Sequence, residues 1–277
     1  MKVTPSQILV FLCLAQTANA ALTASVSSSS TLWTPLVGNF DSATDLNDAD
    51  ANIVGDTVNH GMLFIFDDNG TPDNHADGWL GFRVRFDAVA SSSAQPDSVV
   101  GIAIDAGADG SINAFIAYDP KAISNSPRIV LSAGTGTTPG NTSIGTNAST
   151  YNINDPGFTN FNYRSVVAGS DSVLADVTTA VSGDIDYYVS FMVPFADVIA
   201  VLGTGVDDRT VFRYLAYTST QGNNINQDYG GVDGTPASTS TWVSLGAFSS
   251  PASVPEPSSA LSALSSLAAF LLLRKRR

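Results

Sequence analysis

The chain has 277 residues and a formal net charge of −13 at pH 7, from 25 acidic and 12 basic side chains. An acidic surface of this strength repels nucleic acid and anionic lipid, so we exclude nucleic acid as a partner. The single cysteine is Cys13, which leaves the rest of the chain without the thiols for a disulfide framework or a cysteine-bound metal.

Residues 1–20 have the layout of a secretory signal peptide. Lys2 supplies a positive start, residues 8–15 form an apolar core, and Ala18-Asn19-Ala20 is a small-x-small cleavage site. We therefore expect signal peptidase to cleave after Ala20, so that the mature chain is exported.

The composition of residues 21–248 predicts an all-β domain. The only glutamate in the chain is Glu256, and the other 24 acidic residues are aspartates. Aspartate favours turns and caps, whereas glutamate favours helices. Residues 21–254 carry seven cationic and 24 acidic side chains, a difference of 17 negative charges. We expect a single antiparallel β-sandwich of jelly-roll type with one short helix.

Alternation of apolar and polar residues marks the predicted strands along the chain. The predicted strands are 62–66, 79–86, 99–104, 112–118, 128–131, 161–167, 186–193, 211–217 and 241–248. Residues 174–181 fit a strand or a short helix. The predicted helix is 195–202, because Pro194 suits its start and Gly203 suits its end. Residues 133–149 predict a long loop or an extended hairpin tip.

Four aspartates crowd the loop between the first two predicted strands. They are Asp67, Asp68, Asp73 and Asp77, with amide side chains among them. Calcium prefers about six to eight oxygen ligands, and this loop supplies several. We expect a calcium site here. The alternative is a solvated turn whose side chains bond their own backbone.

A second loop, from Asp105 to Asn113, partly resembles the calcium loops of EF-hands and dockerins. Asp105 and Asp109 stand at the first and fifth positions of that loop, and a glycine follows Asp109. The loop departs from the pattern at Gly107 and Ile116, where the motif has ligands. A weaker calcium site and a tight turn with glycines at positive φ both remain open.

The third candidate is an amide-rich loop with an aromatic residue at each end. Amides and aromatic faces are the groups that bind sugars, through hydrogen bonds and stacking. The predicted glycan-binding residues are Tyr217, Gln221, Asn223, Asn224, Asn226 and Tyr229. The alternative is a capped polar loop.

The sequence supports catalysis only weakly. His60 and His75 lack a zinc-binding spacing, and no Gly-x-Ser-x-Gly motif is present. A glycosidase needs two positioned carboxylates, and Asp186 is one candidate, although it reads better as a solvated acid at a strand end. We therefore expect a protein without catalytic residues. The alternative is a secreted hydrolase that acts on polysaccharide with paired aspartates.

The C-terminus has three parts after a short linker at 249–254. Pro255, Glu256 and Pro257 come first, and an uncharged apolar run at 258–273 follows. As a helix this run is roughly 24 Å long, slightly short of a full membrane span. The chain ends in four cations, which favour the cytoplasmic side. They are Arg274, Lys275, Arg276 and Arg277.

This order, Pro-Glu-Pro, apolar helix and basic end, resembles the PEP-CTERM sorting signal of Gram-negative bacteria. The resemblance covers residues 255–277. It implies recognition by an exosortase, a transient anchor in the inner membrane through 258–273, and delivery to the cell surface or the exopolysaccharide matrix. Together with the aspartate-rich surface and the weak case for catalysis, the export signals lead us to expect a non-catalytic protein of the cell surface or matrix that binds glycan or calcium. Ca²⁺ is the one cofactor to consider, and exopolysaccharide is the expected partner.

Overall fold

The computed structural model describes most of the predicted domain. The described residues are 26, 33–36, 41, 51–69, 71, 77–87, 95–123, 126–134, 144–155, 158–177, 185–207, 210–231, 241–245 and 248–253. The predicted signal peptide (1–20), the sorting tail (255–277) and the predicted calcium ligand Asp73 lie outside these residues.

The described strands form two antiparallel sheets, which confirms the all-β prediction. The strands are β1 (Thr34–Pro35), β2 (Met62–Asp67), β3 (Trp79–Phe86), β4 (Val99–Ala106), β5 (Ala114–Ile123), β6 (Ser126–Gly134), β7 (Ile144–Asn152), β8 (Phe161–Ser165), β9 (Tyr187–Pro194), β10 (Val211–Ser219) and β11 (Ala252–Ser253). The five-stranded sheet has the order β1-β2-β3-β9-β8, and the six-stranded sheet has the order β11-β10-β4-β5-β6-β7.

The main core lies between the two sheets. Every second residue of β3 points into it, beginning at Leu80, and these four side chains are at most 2 % exposed. Phe82 of β3 meets Tyr214 of β10 with ring centroids 5.0 Å apart. The period of two in the sequence of β3 therefore places its apolar side chains against the facing sheet.

The outer face of each sheet is also covered. On the five-stranded sheet, Tyr188 and Met192 pack with Trp33 in a second cluster. On the six-stranded sheet, Tyr217 packs with Trp242 in a third cluster. The central strands of both sheets are thus buried on two sides, whereas antiparallel sheets commonly face water on one side.

Two short helices complete the described structure. The first, α1, spans Phe195–Leu202 as predicted, with Pro194 as its N-cap and Gly203 at φ +89° as its C-cap. The second, α2, spans Trp242–Leu245, so the strand predicted for 241–248 is wrong.

A reciprocal cap explains why the chain turns into α2. Thr241 Oγ1 accepts the backbone N–H of Ser244, and Ser244 Oγ accepts the backbone N–H of Thr241. This is the capping-box arrangement, with serine in the place of the usual glutamate or glutamine. Within the described residues, no helix has the length and apolar character that a membrane crossing requires.

Two further segments join the six-stranded sheet. Residues 144–149, in the part of the chain predicted as a long loop or an extended hairpin tip, belong to strand β7, which forms a hairpin with β6 and so agrees with the second alternative. Residues 252 and 253, predicted as linker, pair with Phe212 and Val211 of β10. Residues 174–177, the described part of the ambiguous segment 174–181, form neither strand nor helix.

Candidate functional site

Three arginines share the outer face of the five-stranded sheet, and we call them the arginine layer: Arg83, Arg85 and Arg164. The register explains how they meet, because Arg85 of β3 lies opposite Tyr188 of β9, which lies opposite Arg164 of β8. Arg83 and Arg85 are 1 % and 0 % exposed. Arginine is almost never so deeply buried unless it is paired, so this layer is the least ordinary part of the structure.

Arg83 is held between aromatic rings. Its guanidinium carbon lies 4.4 Å from the ring centroid of Trp33 and 5.1 Å from that of Tyr188. Its Nε donates to Ser190 Oγ at 2.8 Å. Burial, together with the positive charge of Arg164, lowers the pKa of Arg83 to about 10. The side chain therefore stays charged at neutral pH and is stabilised by cation–π contacts.

Arg85 forms a fully buried ion pair with Asp186. Its Nε and Nη2 both donate to Asp186 Oδ2, at 2.6 Å and 2.5 Å. Burial raises the pKa of Asp186 to about 6, and the positive charge of Arg85 opposes this shift without cancelling it. The prediction of Asp186 as a solvated acid is therefore wrong, because the side chain is 0 % exposed beneath a covering segment.

Residues 172–177 form that covering segment. Arg85 Nη1 donates to Ser172 Oγ at 2.8 Å, and Arg85 Nη2 donates to the carbonyl of Leu174 at 3.0 Å. Asn59 Oδ1 accepts from both Ser172 Oγ and the Leu174 N–H. The backbone N–H of Val177 donates to Asp186 Oδ2 at 3.1 Å. The guanidinium of Arg85 and the side-chain amide of Asn59 thus hold the covering segment in place, although it has no regular secondary structure.

Arg164 completes the layer through a bidentate pair. Its Nη1 and Nη2 donate to the two carboxylate oxygens of Asp171, at 2.5 Å and 2.6 Å. Burial opposes ionisation of Asp171, but the hydrogen bonds from Arg164 and from the backbone N–H of Val167 lower its pKa below the usual value. Two parallel bonds of this kind fix orientation as well as charge.

An acidic cluster adjoins the arginine layer. One carboxylate oxygen from each of Asp87, Asp176 and Asp186 lies within 4.8 Å of the others. Asp87 and Asp186 are 4 % and 0 % exposed, and Asp176 is half-buried. Among the described histidine, cysteine and acidic residues, this is the one group of three close enough to hold a metal ion.

The aspartates of the first predicted calcium loop have local partners where they are described. Asp67 Oδ1 accepts the N–H of Asn69 at 2.9 Å, and burial raises the pKa of Asp67. Asp77 Oδ1 accepts from Thr71 Oγ1 at 2.6 Å. These are the hydrogen bonds of a turn, and with Asp73 outside the described residues, calcium binding here stays a prediction.

The second predicted calcium loop is the turn of the β4–β5 hairpin. Asp105 is 0 % exposed, accepts the N–H groups of Asp109 and Gly110, and pairs with Arg213 at 2.5 Å. Gly107 and Gly110 have φ values of +97° and +91°, which confirms the positive φ expected of a tight turn. Arg213 already neutralises Asp105, and Asp109 is exposed, so the turn has a full structural explanation without an ion.

The amide-rich loop splits into buried rings and exposed amides. Tyr217 and Tyr229 are 0 % and 2 % exposed, so neither ring offers a face for a sugar to stack on. Gln221, Asn223 and Asn226 are exposed. Asn226 Oδ1 accepts the N–H of residue 220 and the hydroxyl of residue 219, as in a capped polar loop. Glycan binding through these amides stays a prediction.

A small cavity lies beside this loop, lined in part by Asp119, Ser132 and Tyr217. Its volume is about 10 Å³, which suits one water molecule and excludes a sugar ring. The ring of Tyr217 packs so closely on Gly101 of β4 that a Cβ at this glycine would stand 2.4 Å from Tyr217 Cζ, so no larger residue fits there. Burial raises the pKa of Asp119 above its usual value.

No protein-family model matches the chain, and neither a curated protein nor a solved structure matches it. Any inference about function therefore rests on the sequence and on the geometry of the described residues. Sequence reasoning missed the arginine layer and the acidic cluster, although one signal was present. Two arginines alternate with apolar residues in the strand 79–86, inside a domain that has only seven cations.

Proposed function

We propose that this chain is an exported protein of the cell surface or exopolysaccharide matrix, with a non-catalytic sandwich of jelly-roll type as its working domain. The observation that carries the proposal is the tail, in which Pro255-Glu256-Pro257, an apolar run and a basic end occur in the order of a PEP-CTERM signal. In this proposal signal peptidase removes 1–20, residues 258–273 anchor the chain briefly in the inner membrane, and an exosortase releases it.

Two features of the domain support a binding or scaffold role over catalysis. Three carboxylates whose side chains are at most 5 % exposed, those of Asp105, Asp171 and Asp186, are each paired with an arginine. The cavity at the outer face of the six-stranded sheet is too small for a sugar. Exopolysaccharide is the proposed partner, through the exposed amides of Gln221, Asn223 and Asn226.

The export proposal is tested by expressing the full chain in a Gram-negative host with and without an exosortase. We expect the wild type to reach the surface without its tail, measured by cell fractionation and intact mass. Glu256→Ala should keep the full C-terminus and stay in the inner membrane, whereas Pro251→Ala, in the preceding segment, should be processed normally. Equal processing of Glu256→Ala, or processing in the host that lacks exosortase, would contradict the proposal.

The alternative function is a secreted hydrolase of polysaccharide. One observation favours it, because the carboxylates of Asp87 and Asp186 approach as closely as a pair of glycosidase carboxylates. Their setting opposes it, since Asp186 pairs with Arg85 beneath residues 172–177. Release of reducing sugar from exopolysaccharide by the wild type, lost in Asp87→Asn, would support the hydrolase. No release by either protein would support the non-catalytic module.

A further inference from the structure

The acidic cluster is built by the register of two strands. Phe86, the last residue of β3, lies opposite Tyr187, the first residue of β9. The next positions, Asp87 and Asp186, therefore face each other where the two strands end. Both belong to the outer face, because side chains alternate along a strand and Phe86 points into the core. Asp176 comes from the covering segment 172–177.

One buried oxygen in this cluster lacks a donor. Asp186 Oδ2 is used by Arg85 and by the N–H of Val177, but Asp186 Oδ1 has no hydrogen-bond partner, and the side chain is 0 % exposed. A buried carboxylate oxygen left in this state is expensive, and native structures rarely contain one. A cation bound to Asp186 Oδ1 would supply the missing partner.

The type of ligand points the same way. The cluster brings three carboxylates together, and two of them are less than 5 % exposed. Like charges at such short range repel each other, and a divalent cation bound between them relieves that repulsion. Hard cations such as Ca²⁺ and Mg²⁺ prefer carboxylate oxygens over nitrogen or sulfur.

We propose that Asp87, Asp176 and Asp186 bind one divalent cation, and that Ca²⁺ is the preferred ion. Calcium tolerates an irregular set of oxygens, as from two strand ends and a segment without regular structure, whereas Mg²⁺ demands a near-ideal octahedron. The ion would tie the covering segment to the ends of β3 and β9. The inference adds an ion to the proposed function, but it does not depend on export.

The test uses the full chain, purified in mild detergent and stripped of ions with a chelator. Titration with Ca²⁺ and then with Mg²⁺ is followed by isothermal titration calorimetry and by melting temperature. We expect one equivalent of Ca²⁺ to bind, a rise in melting temperature, and weaker binding of Mg²⁺. Absence of Ca²⁺ binding by the wild type overturns the proposal without any variant.

Variants then locate the ion. Asp176→Asn changes the half-buried ligand and should raise the Ca²⁺ dissociation constant by about 10- to 100-fold or more. Asp109→Asn and Asp77→Asn, in the two loops where the sequence predicted calcium, are matched controls and should bind as the wild type does. Circular dichroism checks that each variant is folded.

If Asp176→Asn binds like the wild type, or if a loop variant loses the ion instead, the cluster is not the site. The result is separate from the export experiment. A chain that is not exported would overturn the proposed function and leave the titration unchanged, whereas an exported chain that binds no Ca²⁺ would overturn only this inference.

Discussion

The two sheets cover their outer faces with opposite chemistry. On the five-stranded sheet, buried guanidinium groups of Arg83 and Arg85 lie among rings, hydroxyls and carboxylates. On the six-stranded sheet, Phe115, Tyr217 and Trp242 pack edge to face or tilted against one another. The first face is covered mainly through buried guanidinium groups and the second mainly through aromatic rings, with the Asp105–Arg213 ion pair beside them.

The two kinds of layer differ in how precisely they fix the positions of the residues that they contact. Ion pairs and bidentate hydrogen bonds fix direction and distance, so the arginine layer can hold residues 172–177 in one place. An aromatic layer gains free energy from buried area and tolerates small shifts. The charged layer should therefore be sensitive to loss of a single group, and the aromatic layer to loss of volume.

The largest expected effect comes from Arg85→Met, which leaves Asp186 buried without its cation. We expect a loss of about 3 to 5 kcal/mol in the free energy of unfolding, measured by urea denaturation. Lys121→Met removes an exposed cation and should change stability by less than about 0.5 kcal/mol.

A double variant sharpens this prediction. Arg85→Met with Asp186→Leu removes both charges, so it should recover much of the loss. A double variant no more stable than Arg85→Met would show that the uncompensated charge is not the cause.

Trp242→Ala should come next, as the test of the aromatic layer. The side chain is 0 % exposed and contacts both Phe115 and Tyr229, so its removal leaves a cavity. We expect a loss of about 3 kcal/mol, at the lower end for tryptophan because the short helix α2 has room to shift. Val243→Ala, on the exposed side of α2, is the control. Equal losses from both would mean that the helix, and not the ring, is responsible.

Arg213→Met should have an intermediate effect, because its ion pair resembles that of Arg85 but is less buried. The Arg213 side chain is 22 % exposed, and Asp105 keeps two backbone N–H donors when Arg213 is removed. We expect a loss of about 2 kcal/mol in urea denaturation. A loss as large as that of Arg85→Met would show that burial does not set the difference between the two pairs.

The smallest effect is expected from Asp119→Asn, and it depends on pH. Burial raises the pKa of Asp119 above 3.8, so the folded state holds this proton more tightly than the unfolded state does. The stabilisation that this proton provides is fully present below about pH 4, and it is lost as the pH rises through the pKa that Asp119 has in the folded state. The variant should therefore gain stability relative to the wild type between pH 4 and pH 7. A difference that is constant across this range would contradict the prediction.

The sequence predicted the elements whose apolar side chains face the core. The bounds of β3 and α1 match the prediction, because alternation marks the first, while Pro194 and Gly203 bracket the second. Strand β7 was predicted only as one of two alternatives, because its sequence is mostly polar and it lies at the edge of its sheet, where little alternation is needed.

The site was less predictable than the fold. The sequence predicted calcium sites in aspartate-rich loops because the possible ligands lie close together in the chain, as Asp67, Asp68, Asp73 and Asp77 do. The acidic cluster instead joins Asp87 to Asp186 across two strands, and only the register of β3 with β9 brings them together. Single-sequence patterns reveal which face a residue occupies but not which distant strand lies beside it.

The pairing of β3 with β9 also leads us to expect an order of folding. Arg83 and Ser190 are 107 positions apart in the chain, whereas β4 to β7 pair with their neighbours in sequence. The β4–β7 meander can therefore form early, while the five-stranded sheet waits for residues 187–194, and such non-local pairing is slow. During that wait β3 has an open edge that invites pairing with other chains. Arg83 and Arg85 give this strand two positive charges, a known safeguard against aggregation, until Trp33, Tyr188 and the covering segment 172–177 bury them.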